Sequence, residues 1–300
     1  MLELFHEPVA RWFRGALGEP TPAQTRAWPA IAAGRSTLLL APTGSGKTLA
    51  AFLAALDRLM FAPEPPGPQR CRVLYISPLK ALGVDIERNL QAPLAGIAAA
   101  ATELAATFRV PQVGVRSGDT PASERARLAR KPPDILITTP ESLYLLLTSE
   151  ARAILGSVET VIVDEIHAMV ASKRGAHLFV SLERLCALRR TVDPLARPLQ
   201  RIGLSATQRP LDEVARLLGG AEIDAEGQAS PRPVEIADAG TRKRWDLRVE
   251  LPVEDLARLD AETKGTGPEG QGLSSMSGKP GDGASRSIWP SIYPRLVALI

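Results

Sequence analysis

Cysteine is scarce in this sequence, and its scarcity excludes two kinds of protein. Among 300 residues there are 2 cysteines, Cys71 and Cys186, which lie far apart and form no CxxC pair. A disulfide-rich scaffold needs many cysteines, and a zinc site needs closely spaced ligand pairs. We therefore expect two free, buried thiols in a protein of a reducing compartment.

The chain also lacks an apolar run long enough to span a membrane, and residues 1–6 do not combine a basic stretch with an apolar one. We expect a soluble, cytoplasmic protein without a membrane partner. No repeat with a period of about 20 to 50 residues occurs. The formal net charge of +3 is compatible with a polyanionic partner, but net charge decides nothing about the fold.

What the sequence does contain is an alternation of short apolar runs with longer helical patterns. Five runs are predicted to be strands, near residues 36–41, 72–77, 134–138, 159–164 and 200–205. Several are continuously apolar, as strands buried on both faces are. The pattern predicts an α/β fold in which a parallel sheet has helices on both faces. Ligands of such sheets bind at the carboxyl ends of the strands.

A glycine-rich loop follows the first predicted strand and precedes a helical stretch. Residues 41–48 read Ala-Pro-Thr-Gly-Ser-Gly-Lys-Thr, with Ala41 where the general phosphate-loop pattern has glycine. Such a loop directs backbone N–H groups at a polyphosphate, and the positive end of the next helix adds to them. Lys47 is predicted to reach the β- and γ-phosphates, and the Thr48 hydroxyl to ligate Mg²⁺. The predicted ATP-binding residues of the loop are Thr43, Gly44, Ser45, Gly46, Lys47 and Thr48.

An acidic pair ends the fourth predicted strand. Asp164 is predicted to hold the magnesium ion, and Glu165 to orient and deprotonate an attacking water. His167 follows closely and is a candidate relay from the γ-phosphate to a neighbouring loop. Together with Lys47, these are the predicted catalytic residues. Ordinary alternatives exist, since an acidic pair often only opens a loop and a histidine often caps a helix or packs in a core.

Two further groups are assigned by their position. Ser205, Ala206 and Thr207 follow the fifth predicted strand and are predicted to couple the phosphate state to a movable element, through hydrogen bonds to the carboxylates and His167. Gln24 precedes an early helix. Its amide has donors and an acceptor, which suits the edge of an adenine ring. An exposed glutamine at a helix start is the plain alternative.

Taken in order, these segments resemble the first RecA-like lobe of superfamily 2 DExH-box helicases. The resemblance covers residues 20–220 and rests on Gln24 and on residues 41–48, 77–82, 116–120, 138–142, 164–167 and 205–207. Several of them, with Ser-Ile-Trp-Pro-Ser-Ile-Tyr at 287–293, are similar to the large helicase-related (Lhr) branch. That resemblance implies an ATP-driven 3′-to-5′ translocase on DNA or RNA–DNA hybrids, linked to DNA repair.

The resemblance also implies a track for single-stranded DNA or an RNA–DNA hybrid. Basic side chains, backbone N–H groups and hydroxyls suit phosphate oxygens and give affinity without sequence readout. No aromatic ladder occurs in these segments, so base stacking is not expected. Each segment has a plain alternative as a loop or a helix cap. The implied track residues are Pro78, Leu79, Lys80, Arg116, Ser117, Gly118, Asp119, Thr138, Thr139, Pro140, Glu141 and Ser142.

The composition also predicts how the chain is divided. We expect a RecA-like ATP-binding lobe over residues 1–240, a strand-like extension over 241–260, a Gly/Ser-rich flexible loop or linker over 261–287, and the start of a truncated second lobe over 288–300. The chain is then an N-terminal fragment that lacks the second lobe and its arginine fingers. Two other functions stay open: a P-loop ATPase that remodels proteins, and a nucleotide-switched binding module that does not unwind.

Overall fold

The computed structural model describes residues 1–206, 210–224, 226–240 and 289–299. The chain divides into two units, Met1–Arg242 and Lys243–Ile300. In the second unit, the described residues form a helix, Trp289–Leu299, within residues 288–300, where the sequence predicts the start of a second lobe. The predicted extension over 241–260 and the predicted linker over 261–287 lie outside the described residues.

A parallel sheet is the centre of the first unit. The described strands are β1 Thr37–Leu40, β2 Val73–Ile76, β3 Val113–Arg116, β4 Ile135–Thr138, β5 Thr160–Val163, β6 Gln200–Ser205, β7 Ala221–Ile223, β8 Ala229–Pro231 and β9 Glu235–Asp238. Seven of them form one sheet in the order β3-β4-β2-β5-β6-β1-β9, with every neighbouring pair parallel. The remaining two, β7 and β8, pair antiparallel. The predicted α/β class is confirmed.

The five predicted strands are present, whereas β3 and β9 were not predicted. Both are edge strands, and their sequences, Val-Gly-Val-Arg and Glu-Ile-Ala-Asp, have no continuous apolar run. A search for apolar runs finds only strands buried on both faces. In β3, Gly114 lets the chain pack closely, because a Cβ there would lie 3.0 Å from both Leu128 and Pro133 side-chain atoms.

Helices of the first unit connect the strands and cover both faces of the sheet. They are α1 Glu7–Leu17, α2 Pro22–Ala32, α3 Lys47–Phe61, α4 Lys80–Glu103, α5 Ala122–Arg130, α6 Pro140–Leu147, α7 His167–Val170, α8 Lys173–Val192 and α9 Leu211–Gly219; α10 Trp289–Leu299 belongs to the second unit. Short 3-10 helices span Leu2–Leu4, Gly67–Gln69 and Glu150–Leu155. In the described ranges, no helix is both long enough and apolar enough to cross a membrane.

Strand side chains alternate between the two faces, and this creates two hydrophobic cores. Tyr75 of β2 belongs to the first core, which packs α1, α2, α3 and α4 on one face. Its strand neighbours Leu74 and Ile76 belong to the second, which packs α6, α7, α8 and α9 on the other face. The sheet is therefore the middle of three layers, and its carboxyl edge stays free for polar loops.

Both cysteines are free, as predicted, but only one of them is buried. Cys71 is fully buried, and burial raises the pKa of its thiol to about 12. Cys186 is half-buried on α8, where its Sγ accepts a hydrogen bond from Arg201 Nη2 at 3.0 Å. The prediction of two buried thiols is wrong for Cys186, which packs against the second core but is only partly covered.

Candidate functional site

The predicted phosphate loop connects β1 to α3 at the carboxyl edge of the sheet. Gly44 and Gly46 have φ values of +80° and +81°, a region that glycine adopts without strain. At Gly46 a Cβ would also lie 2.7 Å from Gln24 Nε2. Gly46 is the N-cap of α3 and gives it no side-chain cap, as at helix starts that bind anions. The Ala41 N–H donates to the Ser205 carbonyl at 3.1 Å, so this position continues strand pairing and does not require glycine.

Lys47 folds back over the loop that precedes it. Its Nζ donates to the carbonyls of Ala41 and Pro42, at 2.7 and 2.9 Å. Burial lowers the pKa of Lys47, and the charges of Glu165 and Asp164 counteract that shift. The loop therefore holds a cation at its centre, where a phosphate group would bind.

Asp164 directly follows β5 and is held by two hydrogen bonds. Its Oδ1 accepts the Glu165 N–H at 2.9 Å, and its Oδ2 accepts the hydroxyl of Tyr75 from the neighbouring strand β2. Burial and the negative charge of Asp164 raise the pKa of Tyr75, so the phenol stays protonated and remains a donor. The Tyr75 ring stacks on Phe52 of α3, with centroids 5.2 Å apart. The sequence analysis did not single out Tyr75.

Glu165, His167 and Ser205 form a line of polar contacts from β5 to β6. Glu165 has a φ of +46°, which is uncommon for a residue other than glycine. His167 Nδ1 lies 3.2 Å from Glu165 Oε2 and 3.4 Å from Ser205 Oγ. The structure thus brings the predicted base, relay and first coupling residue together. Ala206 follows Ser205 directly, and Thr207 lies outside the described residues.

A cavity of about 580 Å³ opens between the phosphate loop and the acidic pair. Its apolar wall comes from α1, α3 and α4, with Trp12, Phe52 and Leu90 among its residues. Its polar wall contains Thr43, Gly44, Gly46, Lys47, Thr48, Asp164 and Glu165. The structure therefore gathers most of the predicted ATP site around one space.

The donor set of this cavity fits a magnesium ion. Thr48 and Asp164 both line it and both offer oxygen atoms. Mg²⁺ in phosphate sites typically takes one or two protein oxygens and completes its shell with water and phosphate. In the part of the chain that the structure describes, no cluster of three or more His, Cys, Asp or Glu could hold a metal ion alone. The residues thus suit an ion shared with phosphate.

Gln24 and Thr21 brace the phosphate loop from the start of α2. They form a capping box, in which Gln24 Oε1 accepts the Thr21 N–H at 2.9 Å and Thr21 Oγ1 accepts the Gln24 N–H at 3.3 Å. Thr21 Oγ1 also donates to the Ser45 carbonyl at 2.8 Å, and the Ser45 hydroxyl donates to the Pro42 carbonyl at 2.6 Å. Neither Gln24 nor Ser45 lines the cavity, so direct contact of either residue with ATP stays a prediction.

The predicted track segments follow three adjacent strands, in the order β3-β4-β2. Pro78 and Leu79 come after β2, and Lys80 is the first residue of α4. Arg116 ends β3, and Thr138 ends β4. Because the carboxyl ends of parallel strands share one edge of a sheet, these segments form a continuous row, which we call the track row.

Hydroxyl groups in the track row bond to the lobe itself. Thr138 Oγ1 donates to the Arg116 carbonyl at 2.8 Å. Thr139 is the N-cap of α6, and its Oγ1 accepts the Ser142 N–H at 3.4 Å. Pro140 occupies the first helical position, where its missing N–H costs nothing. The hydroxyls of Thr138 and Thr139, which are predicted to contact phosphate, therefore stabilise a strand end and a helix start.

Charges in the track row are partly neutralised by neighbours. Glu141 is exposed and forms a two-point ion pair with Arg174 of α8, with Nη2 and Oε2 3.0 Å apart. This hydrogen-bonded partner lowers the pKa of Glu141. Arg116 is half-buried, and both burial and the charge of Arg125 lower its pKa. The pairing of Glu141 with Arg174 weakens the repulsion that its carboxylate would exert on a phosphate strand.

The turn after β3 is braced by Arg125 of α5. Its Nε and Nη2 donate to the carbonyls of Thr120 and Gly118, both at 2.7 Å. Within the turn, the Ser117 N–H donates to Thr120 Oγ1 at 2.9 Å, and the Asp119 N–H donates to Ser117 Oγ at 3.3 Å. Arg125 was missed by sequence reasoning, since nothing local links it to the turn that it holds.

This arrangement can be compared with known protein families. Residues 21–214 match the model of the DEAD/DEAH box helicase family. This chain belongs to that family. The matched range includes the phosphate loop, the acidic pair, the track row and Ser205.

Individual DEAD/DEAH box helicases refine the assignment. The chain is similar to the Lhr helicase/probable uracil glycosylase of Mycolicibacterium smegmatis, with 50% identity over 296 residues that cover 99% of this chain and 17% of the relative. It is 46% identical to the Lhr helicase/uracil glycosylase of Escherichia coli over 97% of this chain and 18% of the relative. The resemblance to the Lhr branch is confirmed.

A solved structure gives the same result for the fold. The structure of Mycobacterium smegmatis helicase Lhr bound to ssDNA and AMP-PNP matches 99% of this chain and 33% of its own, with a TM-score of 0.73 and 49% identity. The predicted RecA-like helicase fold is confirmed. The chain spans 17% and 18% of the length of the two curated relatives.

Proposed function

We propose that this chain is the ATP-binding lobe of an ATP-dependent helicase that moves 3′ to 5′ on DNA or an RNA–DNA hybrid and serves DNA repair. One observation carries the proposal: the phosphate loop and the acidic pair line one cavity, on the same sheet edge as the track row. Membership of the DEAD/DEAH box helicase family supports it. Location in the cytoplasm stays a prediction.

In the proposed ATP complex, Lys47 exchanges its bonds to the Ala41 and Pro42 carbonyls for bonds to β- and γ-phosphate oxygens. Charged acceptors replace neutral ones, and such charge-assisted hydrogen bonds are about twice as strong. Thr48 and Asp164, which line the cavity, would hold Mg²⁺, and the ion would neutralise phosphate charge. The N–H groups at the uncapped start of α3 complete the cradle.

Glu165 is the proposed general base. Its carboxylate lines the cavity and accepts a proton from a water aligned with the γ-phosphate. His167 lies between Glu165 and Ser205 and is the proposed relay, because a change in its bond to either one alters the other. Ser205, Ala206 and Thr207 are the proposed coupling segment to a moving element.

The track row is proposed to bind the phosphates of a nucleic-acid strand. Arg116 supplies charge, and the backbone of residues 78–80, 117–119 and 139–142 follows three adjacent strands. Contacts of this kind bind DNA and RNA without reading sequence. The M. smegmatis helicase Lhr, which is solved with ssDNA, supports single-stranded DNA as the partner to test first.

A second RecA-like lobe completes the proposed site. Arginine fingers supplied to a phosphoryl-transfer site raise turnover by about 10³- to 10⁵-fold. The two curated relatives are several times longer than this chain, which covers 17% and 18% of them. We therefore expect the 300-residue chain alone to bind ATP, to hydrolyse it slowly and not to separate strands.

The test measures binding of a single-stranded DNA oligonucleotide and of a fluorescent, nonhydrolysable ATP analogue to this chain. We expect both to bind, and the logarithm of DNA affinity to fall linearly with the logarithm of salt concentration. Lys47→Ala should weaken nucleotide binding by about 100-fold and retain DNA binding. Nucleotide binding without salt-dependent DNA binding would contradict the proposal and favour an ATPase that remodels proteins.

A further inference from the structure

A second cavity lies at the opposite edge of the sheet, where the strands begin. Its volume is about 850 Å³, and it is enclosed by the α2–β1 turn, the segments before β2 and β5, and the loop from α8 to β6. It shares no lining residue with the nucleotide cavity. Small-molecule pockets typically measure about 300 to 1,000 Å³, so this one is large enough for a ligand.

The lining of this amino-edge cavity has more positive than negative charge. Four arginines, Arg58, Arg72, Arg189 and Arg197, face two carboxylates, Glu159 and Asp193. Glu159 pairs with Arg72, and Asp193 Oδ1 accepts the Leu195 N–H at 3.0 Å. Within the described ranges, the other three guanidiniums have no ion-pair partner. The cavity thus has an excess of cationic groups.

Two of these arginines also have unused donors. Arg189 is only 6% exposed, and its Nε has no hydrogen-bond partner among the described residues. Its Nη2 donates to the Arg197 carbonyl at 3.0 Å. The exposed Arg197 guanidinium makes no hydrogen bond or ion pair in the part of the chain that is described. Of these two arginines only Arg189 is buried; its Nε is one of four buried donors without a partner among the described residues, and leaving such a donor unpaired is costly.

Helix capping does not explain why these arginines line the cavity. Arginines near helix ends commonly donate to the last carbonyls of the helix. Arg58 lies in the last turn of α3 but donates to Thr160 Oγ1 and Gln200 Oε1, at 3.3 and 3.1 Å. Arg189, in the last turn of α8, reaches a loop carbonyl instead. Burial lowers the pKa of both arginines, a cost that a bound anion would offset.

We propose that the amino-edge cavity binds a small oligophosphate anion. The planar donor fork of arginine matches phosphate oxygens at two points. An anion with several phosphoryl groups balances the excess charge of the cavity that Arg58, Arg189 and Arg197 line. No aromatic residue lines the cavity, so a base has no stacking partner there, and the phosphate chain is the recognised group.

The experiment is a calorimetric titration of the 300-residue chain with inorganic tripolyphosphate, without magnesium. The phosphate loop also takes such an anion, so we expect two binding events in the wild type. Lys47→Ala should remove one event. Arg197→Ser and Arg189→Met should each weaken the other by about tenfold, the effect of losing one charged hydrogen bond.

Arg197→Ser is the informative variant, because its side chain is exposed and has no partner among the described residues, so we expect its loss to leave the fold intact. Arg130→Ser, which removes an exposed arginine of α5 outside the cavity, is the matched control and should bind like the wild type. If Lys47→Ala removes all binding and Arg197→Ser changes none, the proposal is wrong. It is equally wrong if Arg197→Ser weakens binding of an oligonucleotide and not of tripolyphosphate.

Discussion

The carboxyl edge of the sheet has two halves that hold their functional groups differently. In the nucleotide half, around β1, β5 and β6, the side chains of Lys47, Asp164 and Glu165 line one cavity. In the track half, around β2, β3 and β4, the hydroxyls of Thr138 and Thr139 bond to the lobe's own backbone. The first half offers side-chain chemistry, whereas the second offers backbone shape and a few charges.

From this difference we expect single substitutions to have larger effects in the nucleotide half than in the track half. A cavity that gathers three charged side chains loses a defined chemical step with each of them. A row of backbone groups spreads its binding over many weak contacts, so no single side chain dominates it. The following substitutions test that contrast.

Glu165→Gln is expected to have the largest effect. An amide cannot accept the proton of the attacking water, and general-base catalysis is worth about 10²- to 10⁴-fold. In a protein that joins this lobe to a second one, ATP turnover should fall by at least about 100-fold, while ATP affinity is retained. Single-turnover hydrolysis and analogue binding measure the two quantities. Equal turnover in the wild type and Glu165→Gln would contradict the assignment of Glu165 as the general base. The control is Glu150→Gln, which changes an exposed glutamate.

Lys47→Ala is expected to have the second-largest effect, a loss of ATP affinity. Its Nζ is the cation at the centre of the loop, and two charged hydrogen bonds to phosphate are worth about 100-fold in affinity. Fluorescence anisotropy of a labelled ATP analogue measures the change. Lys131→Ala removes an exposed lysine remote from the cavity and should leave the affinity unchanged. A loss of similar size in both variants would point to net charge rather than to the loop.

Tyr75→Phe tests whether a residue outside the sequence motifs contributes to the nucleotide site through Asp164. Removal of its hydroxyl frees Asp164 Oδ2 and should raise the magnesium concentration needed for tight ATP-analogue binding by about tenfold. Binding without magnesium should not change. Tyr144→Phe, on the exposed side of α6, is the matched control. If affinity falls equally with and without magnesium, Tyr75 acts only through packing.

Arg116→Ala removes a half-buried positive charge from the track half. We expect a loss of a few-fold in single-stranded DNA affinity, and a salt dependence whose slope is smaller by about 1, as for one lost phosphate contact. Titrations at several salt concentrations give the slope, with Arg130→Ala as the control. An unchanged slope would take Arg116 out of the track.

Thr139→Val should have the smallest effect on binding and act mainly on stability. Its hydroxyl caps α6, and loss of such a cap costs about 1 kcal/mol in the free energy of unfolding. Urea denaturation measures this cost, and DNA affinity should fall less than in Arg116→Ala. A fall as large as that of Arg116→Ala would break the contrast between the two halves.

The fold and the nucleotide half were largely readable in the sequence, because their signals are local. A loop of eight residues and an acidic pair at a strand end identify their own positions, and parallel topology brings them together. The hydrogen bond from Tyr75 to Asp164 joins residues 89 positions apart. Nothing in the strand Val-Leu-Tyr-Ile shows which neighbour that side chain meets, so this partner needed the structure.

Other misses have different causes. The capping box of Thr21 and Gln24 was readable, since Thr-x-x-Gln before an apolar stretch is its signature, yet the sequence analysis weighed only an adenine contact or an exposed glutamine for this amide. For the hydroxyls of the track half, the sequence left both a phosphate contact and a helix cap open, because residue type does not reveal a backbone partner; the phosphate contact stays a prediction. The edge strands β3 and β9 lacked the apolar run by which buried strands are found.

The backbone of Glu165 has a consequence for the lobe as a whole. A left-handed conformation costs a residue with a side chain about 1–2 kcal/mol, and here it falls on the proposed general base. Folding therefore places this carboxylate in advance, so that less reorganisation remains for the moment of hydrolysis. Glycine at this position would relieve the strain and remove the base. A more stable version of this lobe and a more active one would thus differ in one side chain, at residue 165.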